Sequence, residues 1–308
     1  MKNYSLVEDS VFLPAGAYTK AKRLWVIHEG SRIFAFSQGE YRHYLYPVHT
    51  PSGFAVTTES PLDHPHHNSF WIASDHLCAY LPFVDKEHEE AHYNFYVNET
   101  FQGRAPGRII SKSIEEKQGG GHGYAIRQSL VWRGPPEWGG PQGRGLATEE
   151  RVYRVETDDT ATVIDLHSRL KSREWKLRIG PTRHAYFGVR LIDSLRPSAG
   201  AEIRDSEGNS DPETINRDHA SWVDCTGEIT ANQKAGVTVI PKPFGPPLSW
   251  FVRDWGLVSV NPFRDEACIL EVGAFLDFQV RVIIHDGAID EEYLNERRDD
   301  FKKAATPE

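Results

Sequence analysis

The stretch "GYAIRQSLVWRG", Gly123 to Gly134, sets the period of this chain. Tyr124, Ile126, Gln128 and Leu130 fall on one face when side chains alternate, which is the period of a half-buried strand and not of a helix. The same reading extends outward. "ERVYRVET" (Glu150–Thr157) and "ATVIDLHSRLKS" (Ala161–Ser172) flank Asp158-Asp159-Thr160, a hairpin-like connection. "RLWVIHEG" and "SRIFAFSQG" are two β-rich runs that meet at Gly30 and Ser31. "AGVTVIPKP", "GLVSVNPF", "CILEVGAF" and "DFQVRVIIHDG" continue the series. Only the tail, "AIDEEYLNERRDDFKKAA", has helical character. Asp290 suits the N-cap, acids crowd the first turn, and Lys302 and Lys303 the last. Many short strands between Gly/Pro-rich turns predict an all-β fold, a sandwich or barrel. One domain over residues 1–308 is expected, ending in a helix at about 289–305. The loosest segment is "RGPPEWGGPQGRGLATEE", Arg133–Glu150, which reads as a long loop of functional or merely superficial kind.

Composition narrows the classes. The 308 residues are 39% hydrophobic and 26% charged, enough for a full core. A formal net charge of -9 repels phosphate backbones, so nucleic acid is not an expected partner. No apolar run approaches the roughly 18 residues that span a bilayer, and "MKNYSLVEDSVFLPAG" has no apolar core of a secretory signal. The three cysteines, Cys78, Cys225 and Cys268, are odd in number and far apart. They suit reduced thiols and a cytoplasmic location. No P-loop, dinucleotide fingerprint or nucleophile-elbow motif is present, so no nucleotide cofactor is expected. Nothing in the sequence sets the oligomeric state.

The chemistry concentrates in "SPLDHPHHNSFWIASDHL", Ser60–Leu77. Read as extended, it projects His64 and His66 to one side and His67 to the other, unless Pro65 and the next turn twist His67 back. Two imidazoles so spaced are candidate ligands for a divalent metal such as zinc, manganese or iron. Asp63 can then bind directly or orient a ring. The bland alternative is a polar loop that opens a core strand. "LATEERVYRV" places Glu149, Glu150 and Arg151 on a strand, where only one glutamate can face a pocket. Glu150 is the candidate base, beside Arg151. "GPTRHAYFGVRL" offers His184, "NRDHASWVDCTGE" offers Trp222, and "LSWFVRDWGLVSVNPF" offers Arg253 and Asn261.

The blocks together resemble a known family. "YRHYLYPVHTPSGFAVTTESPLDHPHHNSFWIA" is similar to the opening of the bacterial PmoA-like family, a domain family of unknown function. "TEERVYRV", "ATVIDLHSRL", "FGVRL", "ASWVDCTG" and "WFVRDWGLVSVNPF" follow in the family's order, so the resemblance spans roughly Tyr41 to Phe263. It implies a large antiparallel β-supersandwich, galactose-mutarotase-like and similar to carbohydrate lyases. The sequence departs from the family pattern at Ser74-Asp75-His76 and at His184, where an acidic residue is more usual.

The expectation is an enzyme on a small, sugar-like or polyoxygenated ring, abstracting a proton next to a carbonyl as a lyase, hydratase or isomerase. His67, Glu150, Arg151 and His184 are the candidate catalytic residues. Arg42, Trp71, His76, Trp222, Arg253 and Asn261 are candidates for holding the substrate, and His64 and His66 for a metal acting as Lewis acid. A metal-dependent hydrolase, a mutarotase-like epimerase, an oxygenase and a non-catalytic carbohydrate-binding domain are the alternatives.

Overall fold

The computed structural model describes residues 4–10, 22–83, 86–117, 123–137, 140–184, 186–217, 219–243 and 248–304. It is a large antiparallel β-sandwich with a short C-terminal helix. One eight-stranded sheet runs in spatial order Tyr4–Ser10, Lys22–His28, Ser31–Gln38, His43–Val48, Phe70–Ile72, Phe187–Arg190, Leu257–Asn261, Ser249–Arg253. The other eight-stranded sheet runs Glu202–Asp205, Val223–Thr230, Gln233–Pro241, Phe275–Asp286, Ala161–Ser172, Gly145–Thr157, Tyr124–Arg133, Arg108–Glu116. Their inner faces meet in one apolar core. Phe36 packs edge-on to Tyr153 with ring centroids 5.1 Å apart, and Phe187 contacts Phe278 at 6.1 Å.

The strands form where alternation asked for them. In Tyr124–Arg133 the buried residues are Ile126, Gln128, Leu130 and Trp132. The turn after Lys22–His28 takes positive φ at Glu29 and Gly30, the left-handed pair that a two-residue hairpin turn needs. Asp158 Oδ1 accepts from the backbone N–H of Thr160 and Ala161, closing the Asp158–Thr160 connection as a side-chain turn. The Arg133–Glu150 segment is corrected. Its second part belongs to the strand Gly145–Thr157, and the connection is tied down by Arg144 to Glu137 at 2.8 Å. Trp138 lies outside the described residues.

A third, five-stranded sheet runs Cys268–Leu270, Lys176–Ile179, Leu77–Phe83, Lys86–Asn94, Ala105–Pro106. Its last pair is parallel. Leu77, Ala79, Leu81, Leu177 and Ile179 turn one face into the main core.

The helix Glu291–Lys303 covers the back of the second large sheet. Asp290 caps it by accepting from Tyr293 N–H at 2.7 Å. Its Leu294 and Phe301 pack on Val163, Trp222, Ile240 and Ile283. Among the described residues no helix is long and apolar enough to cross a membrane. All three cysteines are free thiols.

Candidate active site

The site lies on the outer face of the first sheet. Alternation sends Phe70, Ile72, Phe187, Val189, Trp250 and Val252 into the core. Their neighbours Trp71, Gly188, Arg190, Phe251 and Arg253 therefore point outward. Trp71 lies flat across Gly188, where any side chain would meet the indole at 2.7 Å, so only glycine lets the two strands pair there. Two loops close over this face, residues 58–69 and 95–101.

Arg42 holds the loops in place. Its Nη1 donates to His66 O and, at 3.0 Å, to Asn68 Oδ1; its Nη2 donates at 2.7 Å to both Tyr96 O and Asn98 Oδ1. Arg42 is 1% exposed, and burial pushes its guanidinium down to about 10. Its role as a substrate ligand is corrected, because its terminal nitrogens are spent on the protein's own carbonyls.

The histidine loop is not extended. His64 N–H bonds Pro61 O and His67 N–H bonds His64 O, two successive turns that gather the three rings. His64 stacks parallel on His67 at 4.8 Å and on Trp255 at 4.2 Å, while His66 stands edge-on to His67 at 4.5 Å. Asp63 Oδ2 accepts from Arg190 at 2.6 Å and lies 3.1 Å from His64 Nδ1. Burial works to raise the Asp63 pKa, but the hydrogen bonds from Arg190 and His64 bring it to about 2.

The outcome is a cavity of about 420 Å³. Of the sequence candidates it is lined by His64, His66, His67, His184 and Arg253, joined by Asp75, Tyr96, Trp255 and others. Grooves of similar size open elsewhere, at about 510, 490, 460 and 430 Å³, but none of these gathers imidazoles in this way.

Two hydrogen-bond relays end in this cavity. In the first, Asp75 Oδ2 lies 2.6 Å from His184 Nδ1. Asp75 is 2% exposed. Burial raises its pKa, yet the hydrogen bonds from His184 and Thr182 outweigh this and hold it below the usual carboxylate range. An ionised Asp75 fixes the proton on Nδ1 and leaves Nε2 as a basic nitrogen, without a hydrogen-bond partner among the described residues. In the second relay, Arg190 Nη1 lies 3.5 Å from His67 Nδ1, and His67 Nε2 lies 2.9 Å from the Tyr96 hydroxyl. Arginine can only donate, so Nδ1 accepts and Nε2–H donates to Tyr96 oxygen. The Tyr96 proton is then free to point at a ligand. Burial pushes the Tyr96 pKa up, which keeps that proton in place.

The other candidates fall elsewhere. Glu150 is on the exposed face of the second sheet, 3.7 Å from Arg127, and is no pocket base. Arg151 is sealed between the sheets, bonded twice to Glu149, whose oxygens also accept from Trp132 and Ser168. Trp222 is buried beneath the C-terminal helix, on the far side of the second sheet. Asn261 is 1% exposed and donates to Thr182 O and His184 O, so it braces the bend that carries His184. Trp71 is the floor under His67, at 5.1 Å. His76 does not line the cavity; its Nδ1 bonds Pro181 O at 2.7 Å and its Nε2 lies 3.8 Å from Asp75 Oδ2, so it backs the relay. His67 does line the cavity, but it is 1% exposed, and burial, then its neighbouring rings and cations, keep it neutral. Burial and Arg42 likewise push His66 down to about 4, so it is a neutral ring at pH 7 and no imidazolium stabiliser.

The candidate metal ligands His64 and His66 stand side by side, with ring centroids 5.7 Å apart, but lack a third ligand among the described residues. Among the described residues, the cavity does not gather three His, Cys, Asp or Glu ligand atoms within 4.8 Å of one another.

Residues 24–298 match a family of unknown function (DUF6807). The chain belongs to this family. The family's description carries no chemistry, so the geometry of the cavity stands alone as the guide to function. Among solved structures, the chain is similar to the Slr1438 protein from Synechocystis sp. PCC 6803, with 11% identity, 92% of this chain and 96% of that chain covered, and a TM-score of 0.36. No curated protein matches.

Proposed function

We propose that this chain is an enzyme that moves a proton on a small, oxygen-rich substrate, at the carbon beside a carbonyl, as an isomerase, hydratase or lyase does. The observation that carries the reading is the His184–Asp75 pair at 2.6 Å, with its free nitrogen on a cavity that also holds the Tyr96 hydroxyl. His184 Nε2 takes the carbon-bound proton. Asp75 stabilises the imidazolium that forms, as a buried carboxylate partner does in other histidine bases. Tyr96 donates to the oxygen on which charge develops. Arg183 and Arg253 on the lining suit a substrate with a carboxylate or phosphate group. Trp255 and Phe251 offer ring faces for a sugar-like body.

The test uses two variants on a panel of keto-sugars, sugar acids and glycosides. His184→Gln keeps the size of the side chain and removes the base, so turnover falls by ~100- to 10,000-fold. Glu150→Gln leaves it unchanged. Turnover that survives His184→Gln overturns the assignment. Failure of the whole panel with purified wild-type protein favours the non-catalytic reading, in which the cavity binds a polar ring without changing it.

A further inference from the structure

The outer face of the small sheet carries a second cluster, unconnected with the cavity's chemistry. Cys78 on Leu77–Phe83 is directly opposite His92 on Lys86–Asn94, and Glu90 shares their face two residues earlier. His92 Nε2 lies 3.1 Å from Glu90 Oε2. One ligand atom from each of Cys78, Glu90 and His92 lies within 4.8 Å of the others. Cys78 is 2% exposed, while the other two side chains are about two-fifths exposed. Cys268 cannot join them, because its partner Ile179 points to the opposite, core-facing side. A buried sulfur is thus flanked by two half-exposed donors on the same face.

We propose that Cys78, Glu90 and His92 form a binding site for a divalent transition metal of the zinc class. One sulfur, one imidazole nitrogen and one carboxylate oxygen are the donor types of a three-residue zinc site with an open fourth position. The exposed His92 and Glu90 rotamers close the remaining distance. Binding expels the Cys78 proton to solvent and the thiolate lone pair forms the bond to the ion. Arg178 is directly opposite Cys78 on Lys176–Ile179, with Nη2 3.9 Å from Glu90 Oε2. Its charge opposes an ion there and must swing toward water.

Cobalt(II) titration of the purified chain reads the site without any substrate. Wild-type protein should develop a sulfur-to-cobalt charge-transfer band that saturates at one equivalent. Cys78→Ser should abolish it. His92→Ala should weaken binding by more than the ~10- to 100-fold typical of losing a residue that merely supports a ligand. Arg178→Gln should tighten it. His88→Ala, on the same face beyond Glu90, should leave the band unchanged. Cobalt bound with no sulfur band would place the ion away from Cys78 and overturn the proposal, as would a band that survives Cys78→Ser. Should Cys78→Ser fail to fold, the exposed His92→Ala decides: an undiminished band with that variant is equally fatal.

Discussion

Replacing Arg42 by Met is the sharpest probe of how the cavity is built. Methionine keeps most of the side chain's length and removes every donor. Four acceptors lose their partner, and two of those bonds, to Asn68 Oδ1 and Tyr96 O, are fully buried. A buried acceptor left unsatisfied costs ~1–3 kcal/mol, so the two together cost ~2–6 kcal/mol. The acceptors at His66 O and Asn98 Oδ1 sit in part-buried bonds and recover water. Relief from burying a guanidinium offsets part of the loss. The net destabilisation expected is ~2–5 kcal/mol, read from urea unfolding of both proteins at one pH. Because the same four bonds tie residues 66–68 to 96–98, the histidine wall and the Tyr96 wall should loosen together. Ligand binding in the cavity should then weaken even under conditions where Arg42→Met stays folded. A loss below ~1 kcal/mol with unchanged binding would mean that the two loops hold themselves, and the clamp would be wrong.

Stability should fall with acid in two stages. His66 has a folded pKa lowered from 6.5 to about 4, so the unfolded chain binds more protons in that window and stability drops as pH falls through it. Asp63, lowered from 3.8 to about 2, contributes stability present above 3.8 and lost as pH falls toward 2. Urea midpoints measured against pH should show both stages, and His66→Gln should make only the upper one shallower, since the buried His43 and His67 also feed it. Trp222→Ala empties a fully buried site under the helix and should cost ~3–5 kcal/mol while sparing ligand binding in the cavity. Glu149→Gln strands the buried Arg151 charge and should cost ~3–5 kcal/mol, again by urea unfolding, for reasons of folding and not catalysis.

The strands were legible because alternation is a local signal. Phe251, Arg253 and Trp255 stand two residues apart and line the cavity together, so one side of its wall follows from the period of "WFVRDW", while Gly188 and Arg190 of "FGVR" share the outward face beneath it. The rule that only one of Glu149 and Glu150 faces inward also holds. Inward, however, means the dry space between two sheets, where Glu149 needs Arg151, Trp132 and Ser168 to offset its burial. Periodicity gives a face and does not say what covers it. Trp222 shows the same gap, because its cover is a helix some seventy residues later. The "DHPHH" step misled through its backbone, since turns at Pro61–His64 and His64–His67 replace the extended geometry and bring His67 back beside His64. Tyr96 carries no signal in "NFYVNET"; it is held in the site by Arg42, fifty-four residues earlier, which grips its carbonyl, and by Asn94, which takes its N–H.

The claim that His184 and Asp75 form a carbon-acid base is tested most directly by hydrogen exchange. A substrate from the panel is incubated with the protein in heavy water, and the proton beside its carbonyl is followed by NMR. The expected result is deuterium at that carbon with wild-type protein and exchange slowed ~100- to 10,000-fold by both His184→Gln and Asp75→Asn. Turnover with no deuterium incorporated, or exchange that proceeds undiminished in His184→Gln, would contradict it.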